Sequence, residues 1–165
     1  MRAGPQPIRA FARKRDFVAQ KRCADGARKL HSETLTMPVP TKVAIAVVES
    51  AGHVLVGKRS VDGSLPGKDE FPGGKCQSDE TPRSCVVREC REETGLIVIP
   101  RSHVTTVTHE YEHDTVELHF WRCRLSPDLA ELASAKEPFR WVPIDGLSDL
   151  DFPEANAEVL GQLTT

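Results

Sequence analysis

No stretch of this 165-residue chain is apolar over the roughly 20 residues that a membrane-spanning helix needs. Nor does the start follow the charged, then apolar, then small-residue order of a secretory leader. The five cysteines (Cys23, Cys76, Cys85, Cys90 and Cys123) include no CxxC pair, and their number is odd. That argues against a zinc or dithiol motif and against a complete disulfide framework. The expectation is a reducing, cytoplasmic setting with these thiols as small core or surface residues. Internal repeats and low-complexity tracts are missing as well. A strong net charge is also lacking, at −2 overall.

The small net charge conceals an asymmetry. Residues 1–36 hold nine Lys/Arg against three Asp/Glu, a net of +6, and the remainder holds 13 against 21, a net of −8. An acidic body argues against a general nucleic-acid surface. It suits a site that gathers carboxylates around cations. With 39% hydrophobic and 28% charged residues, the chain has the composition of one ordinary globular domain. The stretch "PIRAFARKRDFVAQKRCADGARKLH" is Arg-rich, with Ile8, Phe11 and Val18 at loosely helical spacing. It reads as a solvated tail, a targeting segment or an artefact of start-site choice. Asp16 and Asp25 weigh against targeting, and Met37 directly precedes the first strand-like run. Residues 1–36 are therefore expected to be a start-site artefact or a functionless, disordered tail, and 37–165 the domain.

From Thr41 the pattern becomes regular. "KVAIAVVES", a turn at "AGH" and "VLVGKR" predict a hairpin. A loop with Gly63, Pro66 and Gly67 follows, leading to "FPGGK". Thr81 as N-cap, Pro82 at the first helical position and Gly95 beyond the last turn predict a helix over 82–94. "LIVI", "HVTTVTHEYE", "TVELHFWRCRL" and "FRWVPI" read as strands, with a hairpin tip at 109–115. "DFPEANAEVLGQL" reads as a closing helix. The fold class is α/β, a mixed sheet with helices packed on it.

The central helix carries three glutamates, Glu89, Glu92 and Glu93, within five residues. Like charges three and four apart repel, and the helix dipole disfavours anions near its C-terminus. At about 100° per residue, Val86, Val87 and Cys90 share an apolar arc. Arg88 and Arg91 fall opposite, as solvated charges would. The glutamates border the apolar arc, where the helix turns inward. A salt-bridged surface helix, with Arg88 and Glu92 as an i,i+4 pair, is the plain reading. Three features favour a metal site instead: the carboxylates converge, they occupy an unfavourable helix end, and a glycine-rich loop precedes them. All-oxygen ligation favours Mg²⁺ or Mn²⁺, and Mg²⁺ commonly shares its shell with substrate phosphates.

Gly74, Glu80 and "RECREETGL" at these spacings resemble the Nudix box, GX5EX7REUXEEXGU, where U is a bulky aliphatic. Gly74, Glu80, Arg88, Glu89, Glu92, Glu93 and Gly95 meet every fixed position, and Leu96 the last aliphatic one. Cys90 is smaller than the usual aliphatic, which implies a packing change and intact chemistry. The resemblance implies a Nudix fold, a mixed sheet sandwiched between helices (α/β/α), and a hydrolase of nucleoside diphosphates linked to another moiety. It implies Mg²⁺, with Mn²⁺ as substitute, on Glu89, Glu92, Glu93 and the carbonyl of Gly73. Arg88 would orient the glutamates, and Glu80 would be more peripheral.

The flanks are similar to the MutT branch of that family, which converts 8-oxo-dGTP to the monophosphate and pyrophosphate. "LVGKRS" and "EFPGGK" match it without a gap, which implies Arg59 on a substrate phosphate, Phe71 beside the nucleotide, and Lys75 in the same substrate set. "DLDFPEAN" resembles that branch's tail, which implies Asn156 as the reader of an oxidised guanine. An amide suits that role because it both donates and accepts. Two positions depart from the branch. Ala135 stands where a glutamate serves as a metal ligand or base, leaving Glu137 as the candidate substitute. His113 and Asp114 stand where the branch has a hairpin-tip arginine. "RSVDGSLPGKDEFPGG" partly resembles the coenzyme A pyrophosphatase branch, and Tyr111 lies near the spacing of a tyrosine in dinucleoside polyphosphate hydrolases. ADP-ribose is a further alternative substrate. A non-catalytic nucleotide-sensing domain is the alternative from another class, disfavoured because every box carboxylate is kept. The expected partner is a small nucleotide, with no stable nucleic-acid or membrane binding; oligomeric state is not legible.

Overall fold

Strand β1 (Thr41–Ser50) buries both of its faces, which is why its sequence is a continuous apolar run. Ala44, Ala46 and Val48 point to one core cluster, Ile45 and Val47 to another on the opposite face. The computed structural model describes residues 39–62, 65–110 and 115–164. The basic stretch 1–36, Gly63 and the hairpin tip with Tyr111, His113 and Asp114 lie outside them.

β1 stands at the centre of a mixed sheet. With β2 (His53–Lys58), β3 (Asp69–Glu70), β5 (Val98–Glu110) and β6 (Thr115–Leu125), the order is β3-β2-β1-β6-β5. β4 (Gly73–Lys75) pairs with β1, and β7 (Arg140–Pro143) with β2. β1 and β6 run parallel, the other pairs antiparallel. Helix α1 (Pro82–Thr94) lays Cys85, Val86 and Cys90 against Ala44, Ala46, Val48, Leu55 and Cys123. Full burial of a side chain such as Val86 contributes about 1.5 kcal/mol or more. Helix α2 (Ala157–Leu163) covers the other face, with Val159, Leu160 and Leu163 against Val47, Val54, Val56 and Phe120. The α/β/α sandwich expected from the sequence is thus present. Among the described residues no helix is long and apolar enough to cross a membrane.

The ends of α1 fall where the sequence puts them. Ser84 N–H donates to Thr81 Oγ1 at 3.2 Å and Thr81 N–H donates back to Ser84 Oγ at 3.1 Å, a capping box. Gly95 takes a left-handed φ of 77° and donates its N–H to the Arg91 carbonyl.

Elsewhere the boundaries differ. β5 is one strand through Pro100, where the sequence suggests two. Proline is tolerated because β5 is an edge strand, and register shifts flank Pro100–Ser102 and His103–Thr105. The terminal helix is shorter than "DFPEANAEVLGQL". A 3-10 turn (Glu154–Asn156) follows Pro153, and α2 begins at Ala157. β3, β4 and a 3-10 turn (Ile144–Asp149) are too short to show a period in sequence.

Candidate active site

Arg88 is the hub of the site. Its Nε and Nη2 donate to the two oxygens of Glu80 at 2.9 and 2.6 Å. Nη1 donates to Glu89 at 2.7 Å and to Glu92 at 3.3 Å, and Nη2 also reaches the Lys75 carbonyl at 3.2 Å. The helical wheel placed Arg88 among solvated charges; its side chain is in fact only 23% exposed. The wheel shows the helix alone, whereas the loop after β4 folds back over Arg88 and brings Glu80 to it. Glu80 reaches the other carboxylates through Arg88. The Arg88 hydrogen bonds push its pKa down to about 2, against the opposing effect of burial. The same contacts hold Arg88 above its ordinary value.

Glu93 faces the other way. The Gly73 N–H donates to its Oε2 at 2.9 Å, tying the C-terminal turn of α1 to the start of β4. Partial desolvation pushes the Glu93 pKa up to about 7, although the residue as a whole is exposed. The Gly73 hydrogen bond opposes this, and the charges of Glu89, Glu70 and Glu92 add to it. Gly74 explains itself sterically. A Cβ there would lie 2.5 to 2.7 Å from the Glu89 carboxylate, so only glycine lets that carboxylate sit against β4.

The donor set fits a hard divalent cation. Glu89, Glu92, Glu93 and the Gly73 carbonyl offer only oxygen, the donor type that Mg²⁺ and Mn²⁺ prefer. Among the described residues no three acidic, histidine or cysteine side chains form a ready cage; Glu89 and Glu92 are instead turned onto Arg88.

An open cleft of about 440 Å³ adjoins Glu93, lined by Lys58, Ser60, Glu70, Pro138 and Phe139. Glu137 precedes Pro138 on an exposed stretch docked to α1, where Lys136 N–H donates to the Thr94 carbonyl at 2.9 Å. Ala135 packs half-buried against the α1-side core. Arg59 meets the cleft through Glu70, its Nε donating at 2.7 Å. Lys75 is exposed at the end of β4. Phe71 and Asn156 are not among the residues that line this cleft. Phe71 is buried in the α2-side cluster with its ring centroid 4.8 Å from that of Phe152. Asn156 is 7% exposed, and its Nδ2 donates to the Pro153 carbonyl at 3.2 Å instead of capping α2.

Two residues escaped the sequence reading. Glu70 lines the cleft and pairs with Arg59. Asp69, 1% exposed, accepts from Arg140 at 2.9 Å, Lys58 at 3.1 Å and the Asp151 N–H at 3.1 Å. Both sit in a charged loop-like stretch, "GKDEFPGG", where buried and solvated acids look alike.

Residues 43–162 match the family model described as NUDIX domain. The chain is 30% identical to the 8-oxo-dGTP diphosphatase of Escherichia coli (strain K12), covering 74% of this chain and 95% of that protein. It is equally 30% identical to the CTP pyrophosphohydrolase of the same organism, over 72% of this chain and 85% of that one. Among solved structures, the MutT protein (family Nudix hydrolase) of methicillin-resistant Staphylococcus aureus 252 superposes with a TM-score of 0.62 at 30% identity. That match covers 78% of this chain and 98% of the other.

Proposed function

Because the chain belongs to the NUDIX family, we propose that it is a Mg²⁺-dependent nucleoside triphosphate pyrophosphohydrolase, releasing the monophosphate and pyrophosphate. The leading substrate is 8-oxo-dGTP or a related oxidised purine nucleotide, which makes the role sanitisation of the nucleotide pool. The observation that carries this reading is the arrangement of the box carboxylates: Glu93 held by Gly73, and Glu80, Glu89 and Glu92 held by Arg88. The family resemblance gives Glu89, Glu92, Glu93 and the Gly73 carbonyl as ligands of the cation. When bound, the cation supplies Lewis-acid stabilisation of the pyrophosphate and a water of lowered pKa.

The chain's own residues do the rest. Arg88 fixes the carboxylates in register, with Glu80 as its bidentate anchor. Gly73 orients one oxygen of Glu93 and leaves the other to face a ligand. Glu137 takes the place of the carboxylate missing at Ala135. Arg59 and Lys75 bind phosphate, and Phe71 and Asn156 define the base site.

A second reading is supported by the equal identity to a CTP pyrophosphohydrolase: the same bond is cut in a nucleotide with another base. A side-by-side kcat/KM panel with 8-oxo-dGTP, dGTP, CTP, a dinucleoside polyphosphate, ADP-ribose and coenzyme A separates the two. The proposal expects 8-oxo-dGTP to lead, and Asn156→Ala to lower its advantage over dGTP. Leadership by CTP or coenzyme A refutes the substrate assignment. No pyrophosphate release from any triphosphate favours the nucleotide-sensing class.

A further inference from the structure

We propose that Asp69 is a positioning residue for specificity: its buried carboxylate clasps the segment Asp151–Asn156 and sets where that segment stands over the sheet. The inference rests on the reading of Asn156 as the base-recognising residue. Asp69 is tied to Asp151 in both directions. Its carboxylate accepts from the Asp151 N–H at 3.1 Å, and its own N–H donates to the Asp151 carbonyl at 3.0 Å. Lys68 Nζ closes a third link to the Asp151 side chain at 2.6 Å.

The carboxylate is itself fixed from two further strands. Arg140 on β7 reaches one oxygen at 2.9 Å and Lys58 on β2 the other at 3.1 Å. A charge this deeply buried is sustained only by such full pairing. Two residues on, Phe71 meets Phe152 at 4.8 Å between ring centroids. Residues 69 and 71 lie on one face because side chains alternate along an extended chain. The segment is therefore held at two consecutive points, a charged one at Asp151 and an aromatic one at Phe152. Asn156 follows one 3-10 turn later.

On the other side, Phe71 leads directly into Pro72 and Gly73, whose N–H holds Glu93. The run 69–73 thus connects the clasp on the α2 side of the sheet with the carboxylate site on the α1 side. Lys58 belongs to both, since it pairs with Asp69 and lines the cleft beside Glu93. Loss of the clasp lets Asn156 drift while the box helix keeps its own contacts. Displacement of a positioning group by about 1 Å costs on the order of a hundredfold in rate when it bears on the reacting geometry. Here the expected loss falls on recognition of the base.

The test compares Asp69→Ala, Asp69→Asn and Asn156→Ala in the full chain, with hydrogen exchange of residues 150–158 and kcat/KM for 8-oxo-dGTP and dGTP. Asp69→Ala is expected to speed exchange at 151–156 and to lower the 8-oxo-dGTP to dGTP ratio, mainly through KM, with kcat for dGTP little changed. Asp69→Asn keeps an acceptor for the Asp151 N–H and is expected to restore part of both. Unchanged exchange in Asp69→Ala overturns the clasp. Faster exchange with a wild-type ratio, while Asn156→Ala lowers that ratio, overturns the specificity role. A wild-type ratio in Asn156→Ala sinks the base-reading premise, and exchange alone then decides the clasp. If Asp69→Ala does not fold, Asp69→Asn and Arg140→Met carry the same readouts.

Discussion

The Gly73 amide and the Glu93 carboxylate, 2.9 Å apart, join a strand start to a helix end. The sequence marks each residue separately, and only the fold shows that they touch. Their contact places the Glu93 carboxylate beside the carbonyl that the family resemblance names as a ligand. Arg88 then holds the remaining box glutamates around it. The crowding of like charge along one helix is thereby offset, on one side by a guanidinium and on the other by a backbone donor.

Gly74→Ala tests how tightly Glu89 is seated. The added Cβ would lie 2.5 Å from the Glu89 carboxylate carbon, so the side chain must move. The clash is with the far end of a flexible side chain, so it moves Glu89 at little cost in stability. The variant is expected to fold and to lose turnover beyond what its urea midpoint explains. Wild-type kcat would show that Glu89 need not sit against β4.

The Glu80–Arg88 pair predicts an acid-limb effect. Glu80 falls from 4.5 to about 2 in the folded state, chiefly through the Arg88 hydrogen bonds. A depressed carboxylate contributes stability that is present above its unfolded pKa and lost as pH falls towards its folded pKa. Urea midpoints between pH 6 and pH 3 should therefore fall less steeply in Glu80→Gln than in the wild type. Parallel slopes would contradict the assignment. Arg88→Ala removes the side-chain donor shared by Glu80, Glu89 and Glu92 and should cost about 2–3 kcal/mol at neutral pH.

Gly95 closes α1 with a φ of 77°, a conformation L side chains rarely adopt. Gly95→Ala should lose about 1 kcal/mol of stability in chemical denaturation. Because the strain sits two residues after Glu93, Mg²⁺ titration should also show weaker binding. An unchanged midpoint would mean that the helix end relaxes without strain.

Much of this was legible in the chain. The α1 boundaries follow from Thr81, Pro82 and Gly95, whose capping chemistry is local. The two-sided burial of β1 follows from its unbroken apolar run. The role of Arg88 was not visible on a helical wheel, because its partner Glu80 arrives from a loop outside the helix. Asp69 was hidden for a related reason. An acid in a polar loop is read as solvated, and only the tertiary approach of Lys58, Arg140 and Asp151 shows it to be buried. The two runs "LIVI" and "HVTTVTHEYE" join into the single strand β5, since an edge strand tolerates the intervening Pro100.

The central claim is that the box carboxylates form a cation cradle that drives pyrophosphate hydrolysis. Pyrophosphate release from 8-oxo-dGTP and dGTP with Mg²⁺, wild type against Glu93→Gln, tests it most directly. The expected result is a loss of about 10²–10⁴-fold in kcat for both nucleotides, with an unchanged circular dichroism spectrum. Undiminished turnover in Glu93→Gln would contradict the account.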